Sequence, residues 1–185
     1  MIVVTGLRSG TSLMMQTLKL LGVPVVGYLF HDDFSHKELN PKGYYDLPIN
    51  ETINGLNTDA YKGKAVKLGG AQLSKTDPRY ISAILYCTRE KEATLKSIKK
   101  LIDADHDIIK KYCGDVFVTP EFSYEYNTNA IEKYLDETTI PYMEVKYEYV
   151  IDGPKEMFLA ICKFLGITTG VEKAINNVNK EGVCQ

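Results

Sequence analysis

The chain has 185 residues, enough to close one well-filled core, and nothing in it marks a second domain, so a single domain over residues 1–185 is expected. Apolar residues make up 44% and charged residues 25%, an ordinary globular composition that excludes a disordered or fibrous chain. The formal charge of −2 leaves no global basic field to draw the protein onto nucleic acid or an anionic membrane, so any anion site is local.

Ile2-Val3-Val4-Thr5 is a short apolar run ended by Gly6, and Ser12 to Leu21 follows with apolar residues at helical spacing before Gly22 and Pro24. The pattern predicts a strand, a glycine loop and a helix. A strand that begins at Ile2 leaves no room for a secretory leader, and no later apolar run reaches membrane-spanning length. A soluble protein in a reducing cytoplasm is expected, since Cys87, Cys113, Cys162 and Cys184 show no CxxC spacing and suggest neither a zinc site nor a disulfide framework. Residues 28–61 are polar, irregular and rich in Asp, Asn, Gly and Pro, as functional or disordered loops are.

Ala65 to Leu68 reads as a strand before Gly69-Gly70, and Ile81 to Cys87 as a longer one buried on both faces. Glu90 to Tyr112 keeps helical spacing at 95, 98, 102, 109 and 112, and Val116-Phe117-Val118 opens a further strand. A helix near Asn129 to Leu135 and a strand from Tyr142 to Tyr147 come next. Pro154 to Leu165 is a helix with Pro at its start and Gly166 at its end. Strands alternating with helices predict an α/β three-layer sandwich around a mostly parallel sheet, with ligands at the carboxyl ends of the strands.

The first loop, Gly6-Leu7-Arg8-Ser9-Gly10-Thr11-Ser12, lies at such an end and combines two glycines, an arginine and three hydroxyls. Glycines let backbone N–H groups turn toward an anion, the helix dipole adds partial positive charge, and Arg8 and the hydroxyls complete a cradle for a phosphate. The alternative is a tight strand–helix turn capped by Ser9 or Thr11. A nucleoside triphosphatase loop has wider glycine spacing and a Lys where Thr11 stands, and no later apolar strand ends in an Asp to hold magnesium. The cradle suits a nucleotide whose transferred group needs no metal.

Arg8-Ser9-Gly10-Thr11-Ser12 resembles the 5′-phosphosulfate loop of the sulfotransferase family. Arg89 after a buried strand, with Ser97 eight residues later, resembles that family's binding pair for the 3′-phosphate of its donor. Asn40-Pro41-Lys42-Gly43-Tyr44-Tyr45-Asp46 is similar to a segment of its bacterial branch, and Val145-Lys146-Tyr147-Glu148 with Asp152-Gly153-Pro154 and Phe164-Leu165-Gly166 to its later strand and helix. The resemblance runs from Ile2 to about Ile167. It implies a P-loop-like sulfotransferase fold and transfer of a sulfuryl group from 3′-phosphoadenosine 5′-phosphosulfate (PAPS), whose desulfated form is PAP, to a hydroxyl or amine of a small acceptor.

On that resemblance Arg8 and Lys67 would stabilise the leaving oxygen, Ser9, Gly10, Thr11 and Ser12 would hold the 5′-phosphate, and Arg89 with Ser97 would hold the 3′-phosphate. The chain departs from the family in two places. Gly69 stands where cytosolic members have a His base, which leaves His31, Glu38 and Asp46 as candidates, Asp46 foremost. The glycine-rich basic segment that closes the 3′-phosphate site is reduced to Lys180-Glu181-Gly182 or absent. His31 and His36 beside Asp32 and Asp33, and His106 amid Asp103, Asp105 and Asp107, read as solvated faces, so no metal is expected. A binding module without turnover and a P-loop phosphotransferase are the rival functions.

Overall fold

The computed structural model describes residues 1–29, 40, 43–113, 119–168 and 170–179. Four strands, β1 (Ile2–Thr5), β2 (Ala65–Leu68), β3 (Ala83–Thr88) and β4 (Tyr142–Lys146), form one sheet in the order β2-β1-β3-β4. All the pairings are parallel, Ile2 standing opposite both Ala65 and Ala83, and Thr88 opposite Lys146. The sheet is thus wholly parallel among the described residues, where mostly parallel was expected. Val25 extends its edge by bridging to Ala65.

Eight helices connect and cover the strands among the described residues: α1 (Thr11–Leu20), α2 (Ile49–Thr52), α3 (Gly70–Leu73), α4 (Lys91–Cys113), α5 (Pro120–Glu137), α6 (Tyr147–Asp152), α7 (Pro154–Leu165) and α8 (Val171–Asn179). Short 3₁₀ turns lie at Asp59–Tyr61 and Pro78–Tyr80. No helix of the described residues is long and apolar enough to cross a membrane.

The period-two alternation of strand side chains explains the three layers. Val4, Leu85, Cys87 and Val145 point to one face, where Met14, Met15 and Leu18 of α1 meet Phe158, Ile161 and Cys162 of α7 and Ala174 of α8. Val3, Val66, Leu68 and Ile84 point to the other, against Leu73 of α3 and Ile131, Tyr134 and Leu135 of α5. With both faces covered, the strands carry near-continuous apolar runs, as parallel strands must.

Several boundaries differ from the expectations. β3 begins at Ala83, because Ile81 closes the 3₁₀ turn begun by Pro78. The last strand stops at Lys146 and Tyr147 already opens α6. α5 starts at Pro120, nine positions before the expected Asn129, because its first half alternates Phe122, Tyr124 and Tyr126 with polar residues and shows no helical apolar period. α8 was not expected. The segment read as irregular holds α2, a 3₁₀ turn and a bridge between Tyr28 and Asp46. The strand expected at 116–118 lies outside the described residues.

The connection after β1 leaves toward α1 on one face, whereas β3 leads into α4, which packs with α5 toward the other. Neighbouring strands whose connections leave on opposite faces open a crevice at their carboxyl ends. Gly6 and Arg89 stand at the two lips of that crevice.

Candidate functional site

The loop after β1 is bent by three residues of positive φ: Gly6 at 129°, Arg8 at 53° and Gly10 at 89°. A Cβ at Gly6 would sit 2.2 Å from the Cys87 carbonyl oxygen, so only glycine lets the loop lie on β3. Ser9 Oγ donates to that same carbonyl at 2.6 Å. One backbone oxygen of β3 therefore fixes the loop. Burial pushes the Cys87 thiol up to about 12, so its sulfur is inert at neutral pH and its contribution is the carbonyl.

The N-cap of α1 is Gly10, which has no side chain to cap with. Ser9 is turned away to Cys87, and Thr11 is already the first helical residue. The turn capped by Ser9 or Thr11 is therefore not what the loop forms. At the other lip, the N-terminus of α4 receives a carboxylate from within the chain, as Glu148 Oε1 accepts the Glu90 N–H at 3.1 Å. Of the N-termini of α1 and α4, that of α1 lacks a side-chain cap and presents its positive end where an anion could meet it.

Two cationic clusters flank the loop. Arg8 Nε donates to Ser97 Oγ at 3.0 Å, tying the loop to the second turn of α4. Lys67, near the carboxyl end of β2, is largely buried and donates to the Tyr44 carbonyl at 2.5 Å and to Ser12 Oγ at 3.4 Å. Its Nζ also lies 2.8 Å from Asp46 Oδ1, a carboxylate about half exposed (52%) where Lys67 is 13% exposed. Ser12 Oγ in turn donates to the Tyr44 carbonyl at 3.1 Å. Loop, β2 and the segment at 43–46 are so joined in one network.

That segment reaches the site because Gly43 and Tyr44 turn back on the chain before them. Asn40 Nδ2 donates to the Gly43 carbonyl at 2.7 Å, and the Tyr44 N–H donates to the Leu29 carbonyl at 2.7 Å. Arg89 stands across the crevice with its guanidinium 4.5 Å from the ring centroid of Tyr147. Of the residues picked out by sequence, the structure joins Arg8 to Ser97, and Lys67 to Ser12 and Asp46. Arg89 lies over an aromatic ring, and the Ser97 hydroxyl is engaged by Arg8 instead. His31, His36, Glu38 and Lys180-Glu181-Gly182 lie outside the described residues.

Sequence reasoning named Tyr147 and Tyr44 only within segments of resemblance and gave neither the Tyr147 ring nor the Tyr44 carbonyl a role at the site. A run of Tyr and Glu after an apolar strand is the available signal for the first; a backbone oxygen leaves none. At Gly69, a Cβ would meet Gln72 Oε1 at 2.7 Å and Asn127 Oδ1 at 3.3 Å, so α3 and α5 occupy the space a side chain there would take. A groove of about 410 Å³ lined by Lys19, Val23, Pro24 and Tyr45 includes none of the loop residues and is not part of this site.

No family model matches the chain, and no curated protein matches it in sequence. Among solved structures, it is similar to retinol dehydratase in complex with androsterone and inactive cofactor PAP, with a TM-score of 0.51 and 16% identity. The match covers 96% of this chain and 63% of that one, so the chain spans under two thirds of that enzyme's length. The α/β architecture with its parallel sheet is a fold shared with that structure.

Proposed function

We propose that the chain is a PAPS-dependent sulfotransferase that transfers a sulfuryl group to a hydroxyl or amine of a small acceptor. The observation that carries the proposal is the glycine loop at the switch crevice with a cationic cluster on either side, Lys67 with Ser12 on one and Arg8 with Ser97 on the other. The fold shared with an enzyme crystallised with PAP supports it.

In this assignment Ser9, Gly10, Thr11 and Ser12 form the 5′-phosphate cradle at the N-terminus of α1. The acceptor oxygen or nitrogen attacks sulfur in line with the bond from sulfur to the bridging 5′-phosphate oxygen. As that bond breaks, its electron pair passes to the bridging oxygen, whose growing charge Arg8 and Lys67 stabilise. Asp46, beside Lys67, takes the acceptor's proton. Arg89 and Ser97 hold the 3′-phosphate. A hydroxyl has one donor and two acceptor positions, so Ser97 can accept from Arg8 and donate to a phosphate oxygen together.

Thermal shift tests the donor. PAP without metal should raise the melting temperature, and Mg-ATP should not, because only a ligand of the folded state stabilises it. Stabilisation by Mg-ATP or Mg-GTP alone would favour a phosphotransferase. Gly69, packed against Gln72 and Asn127 in place of a His base, favours the second reading, a PAP-binding module without turnover. Tight PAP binding with no transfer to a broad panel of hydroxyl and amine acceptors would select it.

A further inference from the structure

The ring of Tyr147 touches both lips of the crevice. A Cβ built on Gly10 would lie 2.5 Å from Tyr147 Cδ2 and 3.2 Å from Cε2, so the edge of the ring rests against the N-cap of α1. The same ring carries the Arg89 guanidinium 4.5 Å from its centroid. Next to it, Glu148 Oε1 holds the Glu90 N–H, so the tip of β3 is tied to the first turn of α6 at consecutive residues on each side. Arg89 has a long flexible side chain, and a guanidinium laid on a ring gives up much less freedom on meeting an anion than one that swings in solvent.

We infer that Tyr147 is a positioning residue that sets the separation between the α1 N-terminus and the Arg89 guanidinium, and through it selects nucleotides bearing two phosphates at that separation. The inference rests on the donor assignment above, and it adds the element that turns two cationic places into one measured pair. Gly10 serves the same end, since any side chain there would push the ring away from the loop.

The test compares PAP with 5′-AMP, which lacks the 3′-phosphate, by calorimetry on the full chain. Tyr147→Leu should lower the PAP to 5′-AMP affinity ratio about tenfold, and Tyr147→Phe, which keeps the ring face, should hold it within about twofold. A merely structural role would weaken both ligands equally and leave the ratio unmoved. The chain has three arginines, Arg8, Arg79 and Arg89, so their Nε–H resonances are readily separated. The one lost in Arg89→Lys should lie upfield through the ring current of Tyr147, even if Tyr147→Leu fails to fold. An Arg89 resonance without that shift, or a PAP preference that survives Tyr147→Leu, overturns the inference alone. Wild-type protein that binds PAP no better than 5′-AMP overturns the donor assignment and this inference with it.

Discussion

Lys67 is held by a carbonyl, a hydroxyl and a carboxylate at once, so its charge is available at the loop but does not depend on a ligand for its place. Lys67→Ala should therefore keep PAP binding within a few-fold while lowering sulfuryl transfer by about 10²-fold or more, measured with labelled donor, because the charge counts most as the leaving oxygen becomes negative. Asp46→Asn keeps the size of the side chain but cannot accept a proton, and should lower turnover by about 10²- to 10⁴-fold with donor binding intact. A working acceptor with both variants fully active would refute these roles. Both residues were legible as candidates through the family resemblance, Lys67 from the matching strand and Asp46 from the matching segment. Their contact was not, because it depends on how residues 43–46 fold back onto 27–29, which hydrogen bonds between backbone groups decide and side-chain periodicity does not report.

Two helices end on glycines in the left-handed region for different reasons. Gly166 closes α7 at φ 69° with nothing within 4 Å of a Cβ, whereas Gly10 opens α1 at φ 89° with Tyr147 in the way. Gly166→Ala should cost only the backbone strain, about 1 kcal/mol. Gly10→Ala adds a collision with an aromatic ring and should lower stability by about 1–3 kcal/mol more, read from paired denaturant curves. The bounds of α7 were legible to the residue because Pro154 and Gly166 mark both ends. Those of α5 were not, since polar Glu121, Ser123, Glu125 and Asn127 conceal a helix whose first half is held by its neighbours, Asn127 Oδ1 accepting the Gly70 N–H at 2.9 Å. Tertiary contact there overrides local pattern.

Over the whole molecule, the core is weakened by alkaline pH. Burial pushes the phenols of Tyr86 and Tyr134, and the Cys87 thiol, up to about 12. The folded state keeps these protons where the unfolded chain has lost them. Their stabilising contribution is whole below the unfolded values and is lost as pH rises through that interval, from about 9 for the thiol and about 10 for the phenols toward about 12. Melting temperatures across that range should fall, and Tyr86→Phe should flatten the fall more than Phe at the exposed Tyr142 does. The order β2-β1-β3-β4 also bears on how the chain comes to be made. β1 emerges first yet lies in the middle, and the loop after it is shaped by Cys87, Ser97 and Tyr147, each far along the chain. Parallel strands cannot pair as local hairpins, so this topology loads its closures of long loops onto late events. The last of the loop's contacts, that of Gly10 with Tyr147, can form only once β4 has docked, and a nucleotide that binds only the finished loop should slow unfolding without hastening collapse.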